Sequence, residues 1–417
     1  MNPQNKLFFF AKSISSKLDK FIPIAVKNSV KDRMIHKELQ KYLAANKIPY
    51  QKGVYQEGIN LIGSIKAEMG LGQSCRLIAN MIKETRYNFS IYNYDFGGKV
   101  KEGDTSFDHY IVKELPYSIN IFHVNPCELG NLFMSMPNAW NSHYNIAFWL
   151  WELEEFPNEW IAYCKLFDEI WTPSEFTRKT IQSVTDVPVK VLPYYVSVPN
   201  KKNIGRGYFS LPNDQFLFLV MYDINSTEGR KNPQGAINAF KNAFRADNQQ
   251  VGLVIKVNNG SPEQIHKLKT QLTGYKNIYY ITETLDKECT NSLIKCCDVF
   301  VSLHRAEGFG LVMAEAMLLR TPVIATNWSS NTEFMNKKAA CMVDFHIVEN
   351  PKTEGLYRKG CLWAEPNYIQ AAEFMEKLWQ NPLYYTEKQD NGEDYIQNVL
   401  NKDKLVNLLT RYIEETI

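Results

Sequence analysis

From Gln56 onward the chain alternates short apolar runs with helical patterns, in two blocks separated by the polar, turn-rich stretch Pro199 to Pro212. This beat limits the fold more than any other feature. In the first block the apolar runs predict strands near residues 58–62, 89–95, 119–125, 145–150 and 189–192, with helices at 72–85, 158–168 and 175–183. In the second block they predict strands at 216–222, 252–257, 278–282, 299–303 and 323–326, with helices at 233–246, 262–272, 287–296 and 311–319. Strand and helix alternating in this way build parallel sheets covered on both faces. The expected fold class is therefore α/β, two Rossmann-like doubly wound domains facing across a cleft. Ligands of such sheets sit at the carboxyl ends of the strands. The domains are expected over residues 53–200 and 201–390. A basic extension over 1–52 precedes them, and a helical segment over 391–417 crosses back to the first.

Charge separates the extension from the rest. The whole chain of 417 residues is nearly balanced, with 47 Lys and Arg against 45 Asp and Glu, and no nucleic-acid partner is expected. Residues 1–52 nevertheless hold eleven basic side chains against three acidic ones. Within them Leu7, Phe8, Phe10, Ile14, Leu18, Phe21 and Ile22 recur at helical spacing with Lys12, Lys17 and Lys20 interleaved. Two readings fit this pattern: a helix lying on an anionic membrane surface, or one whose apolar stripe docks on the protein. No apolar run approaches the ~18 residues of a membrane span. A cytoplasmic protein is expected, with peripheral contact at the inner face of the membrane.

The eight cysteines show no C-x-x-C and no histidine pair at metal-ligand spacing. They are expected to be reduced, mostly as small core residues.

The segment from Asp298 to Arg320, DVFVSLHRAEGFGLVMAEAMLLR, holds the densest chemistry. An apolar strand ends in a loop with Arg305, Glu307, Gly308, Phe309 and Gly310, and a helix begins near Leu311. Ionised carboxylates are acceptor-only groups suited to hydroxyl donors, so Glu307 and Glu315 are candidates for a sugar and a ribose. Backbone N–H groups after Gly308 point from a helix N-terminus toward an anion. Arg305 is a candidate partner of Glu307 or of a diphosphate.

Glu307 and Glu315 with seven residues between them, followed by TPVIAT, resemble the E-x(7)-E signature of retaining glycosyltransferases of family four, which have the GT-B fold. The resemblance covers most of residues 56–380. It implies a nucleoside diphosphate sugar as donor, held by the second domain, and a glycan, glycolipid or glycoprotein acceptor on the first, as in bacterial polysaccharide biosynthesis. It also implies that Arg230 and Lys231, after the strand at 216–222, hold the donor diphosphate, although the family more often separates its two cations. No D-x-D stands where a metal bridge would be needed, so neither a metal ion nor another cofactor is expected. On the first domain Gly70 and Gly72 resemble the family's glycine-rich loop between strand and helix. Trp151 and Glu152 are candidates for the acceptor side, as is His123 at the end of its strand. Each has a plain structural alternative. Related readings are a GT-B sugar-nucleotide epimerase and a non-catalytic glycan- or protein-binding subunit.

Overall fold

The computed structural model describes residues 24–45, 47–96, 100–199, 202 and 204–416. The amphipathic stretch between Leu7 and Ile22 lies outside them. Six parallel strands form the first sheet: β1 (Gln56–Gly63), β2 (Phe89–Asn93), β3 (Tyr117–His123), β4 (Tyr144–Phe148), β5 (Glu169–Thr172) and β6 (Val189–Val191), in the order β2-β1-β3-β4-β5-β6. A second parallel sheet holds β7 (Phe216–Asp223), β8 (Val251–Asn258), β9 (Ile278–Ile281), β10 (Val299–Ser302), β11 (Val323–Thr326) and β12 (Cys341–Val343), in the order β12-β11-β10-β7-β8-β9. An antiparallel hairpin, β13 (Phe345–Glu349) with β14 (Leu362–Pro366), follows.

The central strands are buried on both faces, as their apolar runs require. Along β7, Leu217, Phe218, Leu219 and Val220 all lie in the core. Between strands the helices show one apolar face; that of Gly70–Lys83 buries Cys75, Leu77, Ile78, Met81 and Ile82.

Several boundaries differ from the sequence reading. β5 was not anticipated, because its four residues run directly into the turn before the helix Glu175–Gln182. The helix expected over 158–168 is a 3-10 turn, Asn158–Trp160, followed by the short helix Ile161–Cys164. The helix Pro126–Ser135, the hairpin and the helix Tyr368–Gln380 were not anticipated either, and the helical segment expected over 391–417 is two helices, Pro382–Val399 and Lys402–Glu414. All eight cysteines are free thiols. No helix of the described residues is long and apolar enough to cross a membrane.

Within the basic extension, helix Ile24–Ala45 buries Ile35, Leu39 and Tyr42 and leaves Val30 and Met34 exposed. Tyr42 packs edge-on against Phe133 of the helix Pro126–Ser135. At the other end of the chain, Pro382–Val399 stays on the second sheet's side, where Glu393 pairs with Arg320 at 2.7 Å. The next helix, Lys402–Glu414, returns to the first sheet. There Lys402 meets Glu84 at 2.9 Å, Lys190 meets Glu415 at 2.8 Å, and the Tyr412 hydroxyl donates to Val191 O at 3.2 Å.

The two halves touch directly. The Glu333 carboxylate accepts hydrogen bonds from the backbone N–H groups of Glu175 and Phe176, at 2.8 and 2.9 Å, so a side chain of the second half caps a helix of the first. Beside it Ser174 and Ser330 share a hydrogen bond of 2.8 Å.

Candidate active site

Winding reverses once in each sheet. In the second, β8 and β9 are laid down on one side of β7, and β10, β11 and β12 on the other. Chains leaving the carboxyl ends of β7 and β10 therefore diverge and open a crevice, the usual ligand seat of an open α/β sheet. β7 leads to Arg230 and Lys231, and β10 leads to Glu307.

Arg230 and Lys231 end the single helical turn Glu228–Lys231. Asn232 stops that turn with φ +50° and starts the next helix, Pro233–Ala243, by accepting from Gly235 N at 3.1 Å. Its side-chain amide donates to Leu303 O at 2.8 Å, which fastens the basic turn to the end of β10. This stitch brings the two crevice walls together. Lys231 forms an ion pair with Glu307. The Arg230 guanidinium lies 3.5 Å from the same carboxylate, donates to Ala306 O at 2.9 Å, and stands 3.9 Å from Glu152 of the first half.

At separations near 4 Å and an effective dielectric of ~20, each opposite pair is worth about 4 kcal/mol, enough to decide the charge states here. Burial alone would raise the pKa of Glu307, but Lys231 and Arg230 hold it down at about 2. Burial likewise works against the Arg230 cation, and Tyr357, Glu152 and Glu307 outweigh it. Burial lowers the pKa of Lys231, against the opposing pull of Glu307. Arg230 Nε is buried and meets no hydrogen-bond partner among the described residues.

The loop carrying Glu307 is held from several sides. Glu307 N donates to Ser329 Oγ at 3.0 Å, and the buried His304 ring sits 3.1 Å from Asn331 Oδ1. Gly310, with φ +100°, precedes the helix Leu311–Leu318, and a Cβ there would meet Met313 Cε at 2.5 Å. A Cβ on Gly308 would lie 3.5 Å from Glu152 Cγ, so the two halves nearly touch at this loop. Phe309 is buried, its ring edge-on to Tyr194 of the first half at 4.9 Å. Glu315, in the helix, is also buried and is ion-paired with Lys287 at the start of the helix Lys287–Cys296. The two carboxylates of the motif thus face different cations.

In the first sheet the reversal falls between β1 and β3. His123 ends β3, fully buried, with Nε2 2.7 Å from Ser74 Oγ. Ser74 in turn lies 2.5 Å from the Tyr194 hydroxyl, so the chain of contacts continues through Tyr194 to Phe309. Burial pushes the His123 pKa down to about 4.

Three expectations need correction. Arg305 does not pair with Glu307: its guanidinium is taken up by Glu365 at 2.5 Å, by Gly229 O at 2.7 Å and by Tyr368 at 3.4 Å. It joins the hairpin to the basic turn instead. Trp151 offers no open ring face to a sugar. It is buried, donates to Glu155 O at 2.7 Å, stacks on Tyr357 and meets Trp160 edge-on. Gly70 and Gly72 do not lie in a loop before the helix but in its first turn, Gly70–Lys83. A Cβ on Gly72 would sit 2.1 Å from Ala67 O, so the helix start can approach that turn only with glycine there.

Among residues not singled out from sequence, Lys256 interrupts the apolar strand β8, buried, and burial lowers its pKa to about 8. A lysine inside an apolar run was the available signal. Lys287 and Tyr357 gave none, since only the fold brings them to Glu315 and Arg230. Among the described residues no group of three or more His, Cys, Asp or Glu is placed to hold a metal ion.

Residues 211–393 match the family described as glycosyl transferases group 1. No curated protein sequence matches the chain. Among solved structures it is similar to HepE of Anabaena in complex with UDP and glucose, at 12% identity and a TM-score of 0.63, over 86% of this chain and 100% of that one. It is also similar to sucrose-phosphate synthase of Thermosynechococcus elongatus, at 13% identity and a TM-score of 0.64, over 87% and 99%. A third is a TarM mutant of S. aureus solved with fondaparinux, α-GlcNAc-glycerol and UDP, at 14% identity and a TM-score of 0.53 over 71% of this chain. The chain spans 55% of that TarM structure's length. The fold is GT-B, and the region matched by the family, residues 211–393, is built on the sheet that leads to Arg230, Lys231 and Glu307.

Proposed function

We propose that the protein is a retaining glycosyltransferase that moves a hexosyl group from a nucleoside diphosphate sugar to a glycan, glycolipid or glycoprotein acceptor. The observation that carries this reading is the convergence of Arg230 and Lys231 on Glu307 at the winding reversal of the second sheet, with Arg230 Nε left unsatisfied among the described residues. A buried guanidinium N–H without an acceptor suits an anion, and a diphosphate supplies several acceptor oxygens.

In this reading the donor domain spans 201–390 and the acceptor domain 53–200. The diphosphate takes Lys231 and Arg230, and Glu307, released from Lys231, accepts from hydroxyls of the transferred sugar. Glu315 accepts from the ribose, and the backbone of Gly308, Phe309, Gly310 and Leu311 approaches the donor. Glu152 faces the acceptor, and His123, with Gly70 and Gly72, shapes the first half's wall of the cleft. The bond from the anomeric carbon to the diphosphate oxygen breaks with its electron pair leaving on the phosphate. The acceptor oxygen bonds to the same face of that carbon, and its proton passes to the phosphate oxygen. Lys231 and Arg230 stabilise the developing charge, so no protein nucleophile and no divalent cation is assigned. The UDP named in the HepE and TarM structures makes UDP sugars the first donors to try.

The deciding experiment is donor-dependent nucleotide release with and without acceptor, guided by a thermal-shift screen against UDP, GDP, ADP and dTDP sugars. A ligand at ~100 times its Kd stabilises the fold by ~2.7 kcal/mol. Acceptor-stimulated release that survives EDTA, with an α-linked product from an α-linked donor, supports the reading. Binding without transfer to any acceptor removes it, and loss of turnover with EDTA removes its metal-free part.

On its sequence pattern, the amphipathic stretch between Leu7 and Ile22 is assigned to an anionic membrane surface at the inner face, where a lipid-linked acceptor would be met. Salt-sensitive pelleting with anionic vesicles is expected, and none at low salt argues against it.

A further inference from the structure

The hairpin of β13 and β14 is an excursion between β12 and the helix Tyr368–Gln380. Its loop returns to the seam between the two halves. Glu354 and Tyr357 bond each other's backbones at 2.9 and 3.0 Å, which closes a tight turn. The Glu354 carboxylate accepts from Gly229 N, in the basic turn, at 3.1 Å. Arg358 reaches Glu159 of the first half at 2.6 Å. The loop therefore grips both walls of the cleft.

Tyr357 occupies the middle of this grip. Its ring is buried and stacks on Trp151, with centroids 5.8 Å apart and planes 20° apart. The Arg230 guanidinium lies over the same ring, 5.8 Å from its centroid. Burial keeps the phenol protonated against the opposing pull of Arg230, with Glu152 adding to burial, and the hydroxyl can donate toward that carboxylate. One side chain thus touches the cation of the second half and two consecutive residues of the first.

We infer that Tyr357 is a positioning residue, which sets the Arg230 guanidinium for the leaving group only when Trp151 and Glu152 are apposed, and so couples the meeting of the two halves to assembly of the charged site. The inference rests on the glycosyl-transfer reading for its catalytic consequence and on geometry for the coupling itself. A flat aromatic fits this place because cation–π and stacking contacts both need ring faces.

The test uses the full chain with Tyr357→Phe and Tyr357→Ala. Phe keeps both ring contacts and loses only the hydroxyl. Expected for Phe is a kcat reduced about tenfold, with donor KM and melting temperature close to wild type. Expected for Ala is a kcat reduced about a hundredfold or more, and faster hydrogen exchange at residues 228–231 and 150–153. A purely structural tyrosine would instead lower the melting temperature in both variants and leave kcat of the folded fraction unchanged. Unchanged exchange in Ala overturns the inference whatever the assays read. Faster exchange in a protein whose wild type transfers no sugar upholds the coupling and removes the glycosyl-transfer reading instead.

Discussion

Lys231 and Glu307 form an ion pair that bridges the segments leaving β7 and β10, the two strands between which the second sheet reverses its winding. A cation and a carboxylate 76 residues apart in sequence thereby share one crevice. Arg230 stands 3.5 Å from the same carboxylate and 3.9 Å from Glu152 of the first half, so two cations and two carboxylates meet where the halves face each other.

Lys231→Ala is expected to lower kcat by ~10² to 10³, the scale for removing one preorganised donor to a developing oxyanion. Its side chain is 25% exposed, so the fold should survive. Steady-state kinetics beside a thermal melt check this, and wild-type kcat in the folded variant removes Lys231 from the site.

Glu315→Gln should weaken nucleoside diphosphate binding about 10- to 100-fold, because a hydrogen bond to a charged group contributes ~1.5 to 3 kcal/mol. Lys287, its partner, would be left without a counter-charge. Calorimetric titration with the nucleotide found in the screen provides the measurement. An unchanged Kd assigns Glu315 to the packing of two helices.

Stability should fall as pH drops from about 6.5 to about 4. His123 and His143 are buried, and burial lowers the pKa of each to about 4, so the unfolded chain takes up protons that the folded one refuses. Each histidine then costs up to ~1.4 kcal/mol per pH unit across that window, and nothing further once the folded form also protonates. His143, which bonds Tyr117 O at 2.8 Å and stacks on Tyr55, can be replaced in His143→Gln. Urea denaturation at about pH 7 and about pH 5 should show a shallower slope for the variant, by about one proton. Equal slopes exclude His143 as a source.

Leu409→Ala should cost about 2 to 5 kcal/mol, since Leu409 is fully buried in the helix that returns to the first sheet. Denaturant titration reads the loss. A loss below ~1 kcal/mol means that this helix contributes little to holding the chain's end against the first half.

Much of the fold was legible in sequence. Strands buried on both faces must be apolar throughout, and β7 and β10 therefore announced themselves, along with the loop between β10 and the helix Leu311–Leu318 that holds Glu307. Elements read poorly were those whose stability comes from distant partners. β5 has four residues and exists because β4 and β6 flank it. The helix Pro382–Val399 buries Lys388, Gly392 and Ile396, a face that does not read as an apolar stripe in sequence.

At the site, residue type in the sequence determined which groups carry charge: Arg230, Lys231, Glu307 and Glu315, with Glu152 opposite. Only the tertiary structure decided who meets whom. Arg305, two residues from Glu307, turns to Glu365, while Tyr357, fifty residues away, lies on Arg230. Trp151 became core because a ring from the hairpin covers it. Local periodicity reports which side of an element is buried, and carries no record of the partner that buries it. That partner is chosen by how the two sheets wind and meet, a property of the whole chain.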